Sequence, residues 1–239
     1  MLTDASPALP PLGPGPISVV IPALNEALEL PETVRRIRGS PGLGEILVVD
    51  GGSRDETRRV ARDLGCRVLE GRGGRGGQLR VGAAAARGEV VLLLHADTWV
   101  GPNAGEAILA ALRDPEVVGG AFWKVFREGS WLMKGSRARC ALRLWFGRRL
   151  MGDQGIFVRR TVLERIGGVP AVPLMEEFEL CRRLRPLGRL VLARSTVSTS
   201  ARRFRQLGVV RTYALRASVT FRYWRGTPLD ELKRRYDKE

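Results

Sequence analysis

The sequence has no apolar run approaching the ~18 residues of a membrane span. Its first residues, 1–16, hold an Asp and several Pro but no apolar signal core. A membrane-spanning chain is therefore not expected; 1–16 read as a flexible leader and the protein as cytoplasmic. Cysteine is scarce. Cys66, Cys140 and Cys181 are odd in number and far apart with no ligand spacing, which excludes a disulfide framework and leaves free thiols as the expectation. Histidine is scarcer still, with His95 alone, and there is no internal repeat. Acid is outweighed by base: 40 Lys and Arg against 25 Asp and Glu give a net charge of +15. That charge fits nucleic acid, an acidic membrane surface or phosphorylated substrates. Arginine used as a surface solubiliser gives the same count, so charge alone names no partner.

What is present is a globular composition, 239 residues with 44% apolar, enough for one large domain or two small ones. The chain is organised around Val-Val-Leu-Leu-Leu-His-Ala-Asp-Thr at 90–98. Five apolar residues without a polar break read as a strand buried on both faces. The strand then delivers Asp97 to the carboxyl edge of an α/β sheet, where ligands bind. Two earlier strands, 17–21 and 46–49, end at the same edge on Pro22-Ala-Leu-Asn-Glu26 and on Asp50-Gly-Gly-Ser53. After the first, a helix is expected to about Arg38, with Leu28, Leu30, Val34 and Ile37 inward. After the second, two glycines turn the chain and Ser53-Arg-Asp-Glu56 fits a capping box.

A third strand is expected at 66–69, followed by Gly71-Arg-Gly-Gly-Arg-Gly-Gly77 and a helix over 78–86. The glycines match G-x-G-x-x-G, with Asp97 about twenty residues on. Such a fingerprint normally opens the first βαβ unit, and here two strands precede it. Two Arg-Gly-Gly triplets also resemble RNA-binding segments. The reading adopted is a flexible loop from which Arg72 and Arg75 reach phosphates, with Gln78 opening the helix. Further on, a helix over 102–112, a strand over 117–126 and an aromatic, basic helix over 131–149 are expected. Asp153 and Gln154 precede a short strand, Thr161 to Glu164 repeats the capping-box pattern, and a helix begins near Leu174 with Glu176 and Glu177 in its first turn. From 202 to 224, Phe204, Leu207, Val210, Ala214, Ala217, Phe221 and Trp224 keep a three-four spacing among arginines. This basic amphipathic helix either packs on the domain or lies on an anionic bilayer.

Spacing makes one reaction plausible. Asp50 and Glu26 suit a base and a ribose, Asp97 a divalent cation on a diphosphate, Arg72 or Arg75 the remaining charge, and Glu177 or its neighbour the proton of an attacking hydroxyl. The motifs narrow it. Residues 19–26, 48–57, 95–97 and 175–177, in this order, resemble the family-2 glycosyltransferases. Gly152-Asp-Gln-Gly-Ile-Phe-Val-Arg159 looks like the small bacterial radical-SAM and selenodomain-associated subgroup.

The resemblance implies a GT-A-type α/β fold with a Rossmann-like, mostly parallel sheet flanked by helices. It implies a UDP- or GDP-type sugar donor, an acceptor hydroxyl and inversion with Mn2+ or Mg2+. Carried over by residue, Pro22, Ala23 and Glu26 would line the nucleoside pocket and Asp50 would bond the base; Asn25, Gly51, Ser53, Gln78, Ala96 and Asp97 complete the expected donor-binding set. Asp97 and His95 would hold metal, and Asp153, Gln154, Arg72 and Arg75 would meet acceptor or diphosphate. Glu177 or Glu176 would be the catalytic base. His95 stands where the family has a first metal-motif Asp, and Glu177 where it has Asp. No Gln-x-x-Arg-Trp is present, so a non-processive enzyme is expected.

The expected organisation is a leader over 1–16 and one domain over 17–225. Within it, 17–100 binds nucleotide, 101–200 takes acceptor and 201–225 is the amphipathic helix; 226–239 is a tail. Contact with the inner membrane face is a further expectation, and nucleic acid is a disfavoured partner. The alternatives are a sugar-phosphate nucleotidyltransferase, or an inactive basic module binding nucleic acid or membrane.

Overall fold

The computed structural model describes residues 17–127, 135–147 and 149–238; the leader expected at 1–16 lies outside them. Strand β1 (Ile17–Ala23) shows why apolar runs become central strands here. Ile17, Val19 and Ile21 join one buried cluster and Val20 the other, on opposite faces of the pleat. β2 (Leu43–Asp50) and β4 (Val90–Leu93) behave alike, with Val48 and Leu92 on the first side and Leu47, Val49, Val91 and Leu93 on the second. Helix α1 (Leu30–Arg38) covers the first face with Leu30, Val34 and Ile37. Leu28 precedes the helix and is 96% exposed, so it is not part of the inward stripe.

β3 (Arg67–Glu70) follows α2 (Thr57–Asp63), and α3 (Gly74–Ala85) covers the second face with Leu79 and Ala83. α3 starts inside the glycine run, four residues earlier than expected. Its glycines serve packing: a Cβ on Gly76 would lie 2.6 Å from the Val172 carbonyl, and one on Gly82 would lie 2.3 Å from Val20 Cγ1. They let the helix approach a loop and the sheet, which accounts for the run without a dinucleotide.

β5 (Thr98–Val100), α4 (Ala104–Ala111), β6 (Val117–Phe126) and α5 (Ser136–Gly147) follow. Then come β7 (Ile156–Arg159), α6 (Arg160–Arg165), α7 (Glu176–Leu184) and β8 (Arg189–Thr199). The sheet order is β3-β2-β1-β4-β7-β6-β8-β5. The first four strands are parallel, but β7 is antiparallel to β4 and β6, and β5 to β8. The sheet is therefore mixed, with four parallel and three antiparallel pairings, where a mostly parallel one was expected. β8, which pairs parallel with β6, has no counterpart in the sequence reading because Arg189, Arg194 and a Ser/Thr-rich end break its apolar pattern.

The capping boxes do not form. α2 and α6 have no side-chain cap, and the Ser53 hydroxyl instead accepts the Asn25 N–H at 2.9 Å. The basic helix is divided at Gly208 into α8 (Arg202–Leu207) and α9 (Val209–Trp224), and the segment taken as a tail holds α10 (Leu229–Lys238). Thr212, Leu215 and Val219 face inward from α9, while Val210, Phe221 and Trp224 face out. Of the expected stripe, Phe204 and Leu207 pack on the domain, while positions 210, 214, 217, 221 and 224 stay exposed. Cys66, Cys140 and Cys181 are buried free thiols.

Candidate active site

Three parallel strands deliver their ends to one edge. At the first, Asn25 adopts a left-handed backbone (φ 56°), which favours Asn among non-glycine residues. Its N–H donates to Ser53, and its Oδ1 accepts the Arg54 N–H at 2.9 Å. At the second, Asp50 is buried and accepts the N–H groups of Gly52 at 3.0 Å and Ser53 at 3.2 Å, with Arg58 Nε 3.4 Å away. Gln78 donates to the carbonyls of Ala23 (2.8 Å) and Val49 (2.7 Å), tying the two strand ends together. Asn25, Asp50, Gly51 and Ser53 thus build the turn beneath the edge. They do not line either of the two cavities above it.

One cavity, about 410 Å3, is lined by Pro22, Ala23, Glu26, Gln78, Ala96 and Asp97, together with Arg75, Glu176, Arg202, Lys233 and Tyr236. Glu26 pairs with Arg202 at 2.9 Å. Burial raises its pKa above the ordinary carboxyl value against that pull, and Glu26 Oε2 is buried without a partner among the described residues. The second cavity, about 290 Å3, is lined by Arg75, His95, Asp97, Asp153, Glu177, Arg202 and Arg216 among others, with Phe126, Phe178 and Phe204 as apolar wall. Asp97 opens onto both cavities. Its side chain is met by the Thr98 hydroxyl at 3.4 Å, and Arg127 holds its carbonyl at 2.7 Å.

α7 begins on Met175, whose left-handed backbone (φ 62°) is a strained conformation for that side chain and sets the first helical turn against the cavity. Arg75 binds Glu176 through Nε, and its Nη2 lies 3.5 Å from Glu177. Burial first, then the charge of Glu176, lift Glu177 to a pKa of about 7, against the pull of Arg75. His95 Nε2 lies 3.5 Å from Arg75 Nη1 and faces Gly152, where a Cβ would come within 2.9 Å of it. Burial and then the Arg75 charge lower its pKa, keeping the ring neutral at pH 7.

Asp153 accepts from Lys124 Nζ at 2.7 Å, with Arg216 3.7 Å from the same oxygen; its Oδ1 has no partner among the described residues. Burial opposes its ionisation, but the charges of Lys124 and Arg216 together outweigh it and hold the carboxyl well below the usual range. Gln154 is spent on Met151 N–H (3.0 Å) and the Phe122 carbonyl (3.2 Å), and Arg72 is exposed away from both cavities. The structure therefore gathers Arg75, His95, Asp97, Asp153, Glu176 and Glu177, and leaves Arg72 and Gln154 outside. Lys124, Arg216 and Tyr236 were not anticipated. Each lies on a strand or helix whose local pattern carries no sign of the cavity.

Among the described residues no three His, Cys, Asp or Glu side chains converge as a metal cage. A metal shared with a diphosphate needs only one or two carboxylates from protein, and Asp97 at the junction of the cavities fits that need. His95 fits less well, since its Nε2 is packed between Arg75 and Gly152.

Residues 18–167, well over half the chain, match the Glycosyl transferase family 2. The chain belongs to this family. It is 32% identical over 111 residues to an uncharacterized glycosyltransferase, alr2836, of a Nostoc species; the match covers 43% of this chain and 34% of that one, so the chain corresponds to about a third of that relative's length. Among solved structures, it is similar to the mannosyltransferase PcManGT of Pyrobaculum calidifontis in complex with GDP-Man and Mn2+. That likeness has a TM-score of 0.62 and 21% identity, over 80% of this chain and 58% of the other. A glucosyl-3-phosphoglycerate synthase of Mycobacterium tuberculosis, with Mn2+ and UDP, gives a TM-score of 0.54 at 22% identity over 78% and 70%. These likenesses show a GT-A-like fold, a mixed sheet flanked by helices.

Proposed function

We propose that the protein transfers a sugar from a nucleotide-sugar donor to an acceptor hydroxyl, with inversion and with a divalent metal. The observation that carries the reading is that Asp97 and the buried Glu177 line one cavity, at the carboxyl edge of a sheet in a family-2 chain. The larger cavity takes the nucleoside diphosphate. Glu26 Oε2, buried and unpartnered among the described residues, accepts from a ribose hydroxyl, and Pro22 and Ala23 floor the nucleoside. Asp50 acts through the turn it caps, a positioning role in place of the base contact expected from its motif. Asp97 holds the metal, which when bound would neutralise charge on the departing diphosphate.

Glu177 is the base. With a pKa of about 7 it takes the acceptor proton near neutrality, where a general base works best. Glu176, engaged by Arg75, is the positioning partner. It holds the guanidinium between the cavities, from where Arg75 reaches the diphosphate. The complexes with GDP-Man and with UDP support a UDP- or GDP-type donor. The narrower placement in the radical-SAM and selenodomain-associated subgroup rests on the 152–159 motif.

Thermal unfolding with UDP, GDP, CDP and NAD, each with and without Mn2+, tests this. A nucleoside diphosphate at a hundred times its dissociation constant adds about 2.7 kcal/mol. We expect a shift with one of the diphosphates that grows with Mn2+ and loses its metal-dependent part in Asp97→Asn. A shift with NAD alone would return the glycine run to prominence and end the transferase reading.

A further inference from the structure

We propose that the outer face of α5 and α9 is a docking surface for an anionic lipid bilayer. Two observations meet there. First, side chains that ought to be buried are not: Trp145 is 74% and Phe146 86% exposed on α5, and Val210 74%, Phe221 58% and Trp224 59% on α9. On α9, positions 210, 214, 217, 221 and 224 fall on one face, and all five are exposed. The packing is done by Thr212, Leu215 and Val219 on the other side.

Second, the two helices meet. The Arg139 guanidinium of α5 sits 5.5 Å from the Tyr213 ring of α9, and that of Arg149, two residues past the end of α5, lies 4.4 Å from Trp224, so the two exposed rows adjoin.

Its charge decides what covers it. Helices α5, α8 and α9 contain nine arginines and no aspartate or glutamate. Aromatic and aliphatic side chains amid arginines match the boundary between acyl chains and anionic headgroups, where rings insert and guanidinium groups meet phosphates. A nucleic acid would satisfy the arginines and stack on the rings, but would leave Leu142, half exposed on α5, and Val210 against water. Among the described residues no helix is long and apolar enough to cross a membrane, so the contact is in the plane of the surface. The inner side of α9 supplies Arg216, Val219 and Thr220 to the smaller cavity, which therefore sits one helix away from the bilayer. The proposal does not depend on the sugar-transfer reading.

Flotation with phosphatidylcholine vesicles, with and without phosphatidylglycerol, is the test, using the wild type, a Trp145→Glu/Phe221→Glu double variant and an Arg211→Gln/Arg222→Gln double variant. All four positions are on the exposed face, so unchanged melting temperatures certify the fold, and each variant with a lowered one is replaced by Trp145→Ser/Phe221→Ser or Arg211→Lys/Arg222→Lys. We expect binding only to the anionic vesicles, accompanied by a blue shift in tryptophan emission. Loss of the apolar pair or of the arginine pair should weaken it by about tenfold or more, and the lysine pair by less. Equal binding to both vesicle types, binding indifferent to the apolar pair, or tight salt-sensitive RNA binding without vesicle binding would each overturn the proposal.

Discussion

At Glu177, the proposed base, the requirements of chemistry oppose those of stability. Its pKa rises from 4.5 to about 7 on folding, so the folded state holds the proton more tightly than the unfolded one. Its contribution is fully present below about pH 4.5 and is lost as pH rises through about 7. Glu177→Gln removes that loss. The variant is expected to melt above the wild type at about pH 8 and to match it at about pH 4.5, as scanning calorimetry would show. Transfer in the same variant should fall by about 10²–10⁴ with nucleoside diphosphate binding retained. The wild-type rate should climb as pH passes through about 7. Asp153 has the opposite sign. Its lowered pKa gives stability above the ordinary aspartate range that is lost in acid, and the stability depends on Lys124. Lys124→Ala takes the ammonium at 2.7 Å from that buried carboxylate and leaves Arg216 at 3.7 Å, so it should cost about 3 kcal/mol in urea unfolding.

At the scale of the element, α3 and α7 show how backbone shape sets the site. α3 approaches the sheet closely enough for Gln78 to reach two strand ends only because Gly82 has no side chain against Val20 and Val49. Gly82→Ala should cost about 1–3 kcal/mol in urea unfolding, through overpacking. Cys181 is buried on α7, the helix that carries Glu176 and Glu177. Desolvation pushes that thiol up to about 11, so it should stay unmodified by a thiol reagent at about pH 8 until the protein unfolds. Measuring thiol release against urea concentration would check this.

For the whole molecule, the decisive event is that the chain returns to its first half. β7 enters beside β4 in the antiparallel sense, α9 and α10 pack over the cluster of Met175 and Phe178, and α10 brings Lys233 and Tyr236 to the larger cavity. A chain ending at Gly226 should therefore bind the nucleoside diphosphate about tenfold more weakly, measured by titration calorimetry. It should also melt lower, since Leu232 is fully buried.

Much of this was legible before any fold was known. Apolar runs at 17–21, 46–49 and 90–94 declare buried strands because both faces of those strands are covered. Acids follow them at the edge onto which the two cavities open, and Glu176 and Glu177 stand out in the first turn of their helix. These are local signals, carried by neighbours along the chain. The apolar stripe of α9 is such a local signal, and by itself it leaves packing on the domain and lying on a bilayer both open. Spacing shows that an apolar face exists, and only packing shows which face the domain takes. The partners of the site are not local either. Arg75 meets Glu176 across 101 residues and Lys124 meets Asp153 across 29, and no periodicity encodes such pairs. The sequence by itself thus determined the first parallel strands, the family resemblance and the acidic edge, because these depend on residue order. The tertiary structure alone decided the mixed sheet, the meeting of Arg75 with Glu176 and Glu177, and which apolar side chains stay exposed, because these depend on segments distant in sequence meeting in space.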